Sequence, residues 1–279
     1  MTQLPRVMPA LITPFTDREE LDLDAHAYNV AAIHDRGAQG VLVAGSTGEG
    51  PFLEPGERRS LVATAASTVP SSSVVCGVNA ESERSAMAQI DEAADGGAIA
   101  ALVVTPTTLV RGRDVLVGGF YERVAARSAL PILLYSVPGV TGWQIPTDLA
   151  KDLAAVPRIV GMKDSGGEPE RLDEMAPAIG ETFIVFAGAS RAILESAARG
   201  AFGAITASGN YAFSSVAASA AGDSEAQARL LQVTSVVEPH GVAATKFAAG
   251  ISGLRPGHAR RPLAELSSSI RDDIERTLR

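Results

Sequence analysis

Three lysines occur in 279 residues, Lys151, Lys163 and Lys246, and the remaining permanently cationic side chains are all arginine. Lys163 closes the apolar run Ile159-Val160-Gly161-Met162-Lys163, which reads as a buried strand with the amine at its C-terminal end. Burial disfavours the ammonium and pushes a lysine's pKa down. A neutral amine at a strand end is what a carbonyl-condensing enzyme needs to form a Schiff base. A strand-end lysine that merely snorkels to solvent is the commoner case, so the assignment depends on its neighbours. Tyr135 ends an earlier apolar run, one strand–helix–strand unit away, and is followed by Ser136-Val137-Pro138-Gly139-Val140-Thr141-Gly142. A third run leads into Gly45-Ser46-Thr47-Gly48-Glu49-Gly50.

Together these residue types form a coherent set. Lys163 attacks the ketone of a 2-oxo acid, and the iminium left after loss of water is an electron sink for the next carbon–carbon bond. Tyr135 gives and takes protons, with Thr47 as a relay. Ser46, Thr47 and the amides of the glycine-rich turn hold the substrate carboxylate, because amides at a helix N-terminus suit an anion. Each residue alone has a plainer reading. Gly-Ser-Thr-Gly is also an ordinary turn and cap, Tyr135 a strand-end aromatic, and Glu49 and Asp164 helix-start or solvated carboxylates. No Gly-Lys-Ser/Thr follows the turn, so it is not a P-loop. Joint arrival at three strand ends favours the catalytic reading.

To share one rim, those ends must belong to parallel neighbouring strands. Eight short apolar runs recur along the chain: Val7–Thr13, Gly40–Ala44, Ser73–Val78, Ala98–Thr105, Pro131–Tyr135, Ile159–Lys163, Phe183–Ala187 and Ala201–Thr206. Between them lie helical stretches such as Asp24–Arg36, Pro55–Thr68, Glu81–Ala94, Val115–Arg127 and Pro169–Ala176. Eight alternations predict a (β/α)8 TIM barrel, with chemistry at the C-terminal strand ends. Strands covered on both faces read as continuous apolar runs, as these do. A doubly wound open sheet is the competing architecture, but no Gly-rich dinucleotide fingerprint follows the first strand. From Ser224 onward the pattern is wholly helical, with segments Ser224–Val237, Val242–Gly250 and Pro262–Leu278. The expected organisation is a barrel over 1–223 and a helical extension over 224–279 packed on it.

Composition narrows the partners. The net charge of −8, without basic stretches interleaved with aromatics, argues against nucleic acid. No apolar run approaches the roughly 20 residues of a membrane helix, and Met-Thr-Gln-Leu-Pro-Arg lacks the regions of a signal peptide. A single cysteine, Cys76, rules out an internal disulfide and fits a reducing, cytoplasmic setting, with the thiol buried and inert. His26, His34, His240 and His258 are scattered, and no metal site is expected.

The strings Thr13-Pro14-Phe15, GSTGEG at 45–50, YSVPGVTG at 135–142 and GMKDSGG at 161–167 resemble the dihydrodipicolinate synthase/N-acetylneuraminate lyase superfamily in order and spacing. The resemblance implies a barrel with a C-terminal helical extension, usually homotetrameric, that forms a lysine Schiff base with pyruvate or another 2-oxo acid and needs no cofactor. Carried onto this sequence, it makes Lys163 the Schiff-base lysine, Tyr135 the acid/base, and Ser46 and Thr47 the carboxylate-binding and relay hydroxyls. Gly188 and Ile205 match positions lining the pyruvate pocket. Tyr-Ser-Val-Pro with Gly-Met-Lys-Asp-Ser-Gly-Gly is most similar to 4-hydroxy-2-oxoglutarate aldolases, so cleavage of a 4-hydroxy-2-oxo acid to pyruvate and an aldehyde is the first expectation. Dihydrodipicolinate synthase is the enzymatic alternative, and a non-catalytic 2-oxo-acid-binding barrel the other. Two departures bear on this choice. Val140 stands where synthases carry an arginine for the second carboxylate, and Thr107-Thr108 replaces an aromatic pair that includes a relay tyrosine crossing between subunits. Tyr121 lies too far along the next helix to be nominated in its place.

Overall fold

The structure is a computed structural model that describes residues 4–70 and 73–279. Its strands are β1 (Val7–Pro9), β2 (Gly40–Val43), β3 (Ser73–Val78), β4 (Ala100–Val104), β5 (Ile132–Ser136), β6 (Ile159–Asp164), β7 (Ile184–Ala187) and β8 (Gly203–Thr206). All neighbours pair in parallel, in the order β1-β8-β7-β6-β5-β4-β3-β2. The parallel bridge between Ala10 and Leu42 closes the circle. A helix follows each strand, and the chain is a (β/α)8 TIM barrel with a C-terminal helical extension.

Strand alternation builds two cores. Leu42, Val75, Leu102, Leu133, Phe186 and Ile205 fill the barrel interior. Val43, Cys76, Val103, Leu134, Met162 and Val185 face outward against helix residues such as Ile33, Ile90 and Val124. Both faces are therefore dry, which is why the strands read as unbroken apolar runs. Cys76 is fully buried in the outer layer, where burial pushes its thiol up to about 12. Polar caps start helices of the barrel: Asp22 accepts from Ala25 N at 2.9 Å, and Ser82 from Ser85 N at 3.2 Å.

Element ends differ from expectation for identifiable reasons. The first strand stops at Pro9 rather than Thr13, because the Asn210 amide takes over the ladder. Asn210 donates to the Ala10 carbonyl at 2.7 Å and accepts from Ile12 N at 3.1 Å. Helices Thr147–Ala154, Ile193–Ala198 and Phe213–Ala220 complete the alternation but are too short to show a clear helical period. In the extension, helices Ser224–Val237 and Gly241–Ile251 fall where predicted. The last helix begins at Ser268, not Pro262, with Ser267 as its cap. The preceding segment is pinned to the barrel instead. Arg260 forks onto Glu57 at 2.5 and 2.6 Å and donates to the carbonyls of Glu19 and Phe52.

Candidate active site

At the C-terminal mouth of the barrel, Tyr135 and Lys163 are register partners on β5 and β6. Both side chains point inward, following the parity of Leu133 and Gly161 beneath them. Lys163 Nζ donates to the Tyr135 hydroxyl at 3.2 Å, and both residues are buried. Burial alone would raise the Tyr135 pKa. The Lys163 charge and the hydroxyls of Ser46 and Ser165 beside the phenol outweigh burial and hold it below the usual range. Lys151 pairs with Asp148 at 2.6 Å and Lys246 with Glu49 at 2.5 Å. Lys163 is the one lysine with no carboxylate partner among the described residues, so its amine is free for chemistry.

These groups line a cavity of about 880 Å³ that also takes in Thr47, Thr105, Val140, Gly188 and Arg191. Gly188 is required by space. A Cβ there would lie 2.1 Å from Ser165 Oγ and 3.0 Å from Lys163 Cε, so any side chain would displace Ser165 and crowd the lysine. Ile205 is fully buried within the barrel-interior cluster and is not among the residues lining the cavity. Ser165 escaped sequence reasoning, although its place two residues after Lys163 on one strand face was a usable signal. Its buried Oγ has no well-formed hydrogen bond within the protein, which leaves it available to a ligand.

The turn after β2 differs from a helix N-terminus. Ser46 and Thr47 are half-buried, a short 3-10 turn covers Gly50–Phe52, and the next α-helix starts only at Glu57. The helix-dipole argument for anion binding therefore fails. In its place the backbone amides of Ser46 and Thr47 have no backbone partner among the described residues and stay open to an anion. Left-handed backbone at Ala44 (φ 54°) and Glu49 (φ 56°) brackets the turn. Ser46, not Thr47, is the hydroxyl beside Tyr135.

Glu49 and Asp164 are neither helix-start nor solvated carboxylates. Asp164 accepts from Arg171 Nε at 3.0 Å and from Gly166 N at 2.9 Å, bracing the loop that carries Ser165. Glu49 is 2% exposed, pairs with Lys246 of the extension and accepts from Arg260 N at 2.8 Å. The extension is thus locked to the turn that bears Ser46 and Thr47. Lys246→Met is expected to cost about 3–5 kcal/mol in denaturant unfolding, because Glu49 would remain buried without a counter-charge. The double variant with Glu49→Gln should lose less than the single one. A Lys246→Met loss under 1 kcal/mol would show the pair to be solvated.

The mouth departs from the resemblance where the sequence said it would. Val140 sits on the rim at 69% exposure. The amides of Thr107 and Thr108 donate to Glu81 Oε2 at 3.0 and 2.9 Å, and Thr107 lines the cavity. Tyr121 lies behind β4, its hydroxyl bonded to Val103 O and Thr105 Oγ1, both at 3.0 Å, and does not reach the cavity. Thr105 in turn donates to the Tyr135 carbonyl at 3.2 Å. The extension is more than packing, since Glu238, Val242 and Thr245 form part of the cavity wall.

The family model described as the dihydrodipicolinate synthetase family matches residues 3–279. The chain belongs to this family. A 4-hydroxy-tetrahydrodipicolinate synthase of Pseudomonas aeruginosa is 30% identical over 98% of this chain and 96% of its own length. One from Xanthomonas campestris pv. campestris is 35% identical over 73% of this chain and 68% of its own. The solved dihydrodipicolinate synthase of Aquifex aeolicus superposes with a TM-score of 0.89 at 27% identity, covering 99% of this chain and 97% of that one. As a member of the family, this protein is a class I, pyruvate-type carbon–carbon lyase. Among the described residues, no helix is long and apolar enough to cross a membrane.

Proposed function

We propose that Lys163 forms a Schiff base with pyruvate and that the resulting enamine joins, or is released from, an aldehyde bearing its own carboxylate. The observation that carries this reading is the unpaired Lys163 amine at the barrel mouth, 3.2 Å from a tyrosine whose pKa is lowered. Tyr135 takes a proton from the lysine, leaving the amine lone pair to attack the C2 carbonyl. The carbinolamine oxygen leaves as water, with Tyr135 returning the proton and Ser46 acting as relay in place of Thr47. Loss of a C3 proton to the Tyr135 phenolate gives the enamine, and Tyr135 later passes that proton to the aldehyde oxygen. The enamine carbon forms the new bond to the aldehyde, whose oxygen is protonated, and hydrolysis frees Lys163. Ser46, Thr47 and the amides of their turn hold the pyruvate carboxylate, and Gly188 leaves room for the ketone.

The relatives' name puts 4-hydroxy-tetrahydrodipicolinate synthesis, with aspartate semialdehyde as acceptor, ahead of the 4-hydroxy-2-oxoglutarate-type cleavage first expected from the motifs. The cleavage reading keeps one specific support, the apolar Val140 on the rim. Incubation of pyruvate with aspartate semialdehyde or glyoxylate, read by product mass, decides between them. A product from the first alone is expected for the synthase, and one from glyoxylate alone for the aldolase. Pyruvate trapped on Lys163 without turnover of either would leave a binding barrel. The proposal includes a cytoplasmic setting, a barrel over 1–223 with its extension over 224–279, and self-association. Exposed Leu109, Val115 and Leu116 beside the divergent loop support the last.

A further inference from the structure

Lys163 and Arg191 are the only basic residues lining the cavity among those described. Arg191 stands in the 3-10 turn Ser190–Ala192, three residues past Gly188, on the rim opposite Val140 across β6. Its Nη2 donates to the Gly166 carbonyl at 2.6 Å. The guanidinium lies flat over Gly167, where a Cβ would meet Cζ at 2.4 Å. The bond to Gly166 is its one hydrogen bond among the described residues, and it leaves the other N–H donors uncommitted. No carboxylate lies within ion-pair distance of the guanidinium among the described residues, although nine other arginines of this chain hold such pairs, and Glu238 is only near enough to feel its charge.

The other charges around the cavity are acidic. Glu49 is neutralised by Lys246, Glu81 accepts the Thr107 and Thr108 amides, and Glu238 stands on the extension side. Glu238 stands by Ser190 within the field of Arg191, so among the described residues Arg191 is the one cation besides Lys163 that a second substrate carboxylate could meet on the cavity wall. We propose that Arg191 is the specificity-determining residue that receives the distal carboxylate of the substrate, making this site selective for 2-oxo diacids and for carboxylate-bearing aldehydes. The assignment rests on the Schiff-base reading of Lys163. It differs from the resemblance, which places the guanidinium at position 140.

The test needs no turnover. Borohydride trapping on Lys163 is compared for 2-oxoglutarate against 2-oxopentanoate, and for 2-oxoadipate against 2-oxohexanoate, with pyruvate as control. The native protein should be trapped at lower concentration by at least one diacid than by its monoacid, by about ten- to a hundredfold, the range for a hydrogen bond to a charged group. Arg191→Met should abolish that preference, and Arg191→Lys should keep part of it, each variant being read relative to its own pyruvate trapping. Equal trapping of each diacid and its monoacid by the native protein would overturn the proposal, as would a preference that survives Arg191→Met. Failure of pyruvate itself to trap on Lys163 would instead refute the Schiff-base reading, so the two failures are distinguishable.

Discussion

Borohydride reduction in the presence of pyruvate is expected to add the mass of pyruvic acid less one oxygen to the peptide containing Lys163, and to no other. Lys163→Ala should remove the adduct and all turnover. The expectation follows from the contrast among three lysines. Lys151 is engaged by Asp148 on the surface, and Lys246 is held by Glu49 and by the His258 carbonyl at 2.5 Å. Neither offers a free amine to a ketone, whereas Lys163 has only a phenol for company. Stability should move the other way from activity. Lys163 is 4% exposed without a counter-charge, so replacing it removes a desolvated amine rather than a useful ion pair. The unfolding midpoint of Lys163→Ala should equal or exceed that of the native chain. An adduct on Lys151 or Lys246 would sink the assignment.

The barrel was legible because eight dry strands cannot hide. Each is apolar on both faces, and the intervening helices supply the outer cover. The pairing of Tyr135 with Lys163 was legible for the same reason, since one strand–helix–strand unit separates two strands that must be neighbours. Local chemistry could be inferred only where side chains follow strand parity. Ser165 obeyed that parity and was still missed. Thr47 and Ser46 lie on a turn, where no period tells which hydroxyl faces the phenol, and Ser46 is the one whose hydroxyl acts on Tyr135. Long-range pairs left no trace in sequence: Glu49 with Lys246 joins segments whose proximity is a property of the closed barrel. Arg191 is similar. Its position after β7 is ordinary, and only its place on the cavity wall without an ion-pair partner among the described residues gives it meaning.

Tyr135→Phe is expected to cut turnover by about 10²–10⁴, the usual contribution of a positioned acid/base. The change deletes one hydroxyl whose partner is Lys163 Nζ at 3.2 Å, so the loss in unfolding free energy should stay near 1 kcal/mol. A much larger loss would make Tyr135 structural, and near-native turnover would mean that another group moves the protons. A spectroscopic readout separates these roles. A tyrosine ionises by losing its proton, so a charge that stabilises the phenolate lowers the pH at which ionisation begins. Tyr135 is lowered despite its burial, by Lys163 and the hydroxyls around it, whereas burial pushes Tyr121 and Tyr211 up. Ultraviolet difference titration should therefore show one phenol ionising ahead of those two, below the ordinary value of about 10. Tyr135→Phe should delete that first step and leave the later ones in place. In the native enzyme turnover should rise through the same step, because only the ionised phenol can take the proton from Lys163. A rising limb that persists unshifted in the phenylalanine variant would assign it to a different group.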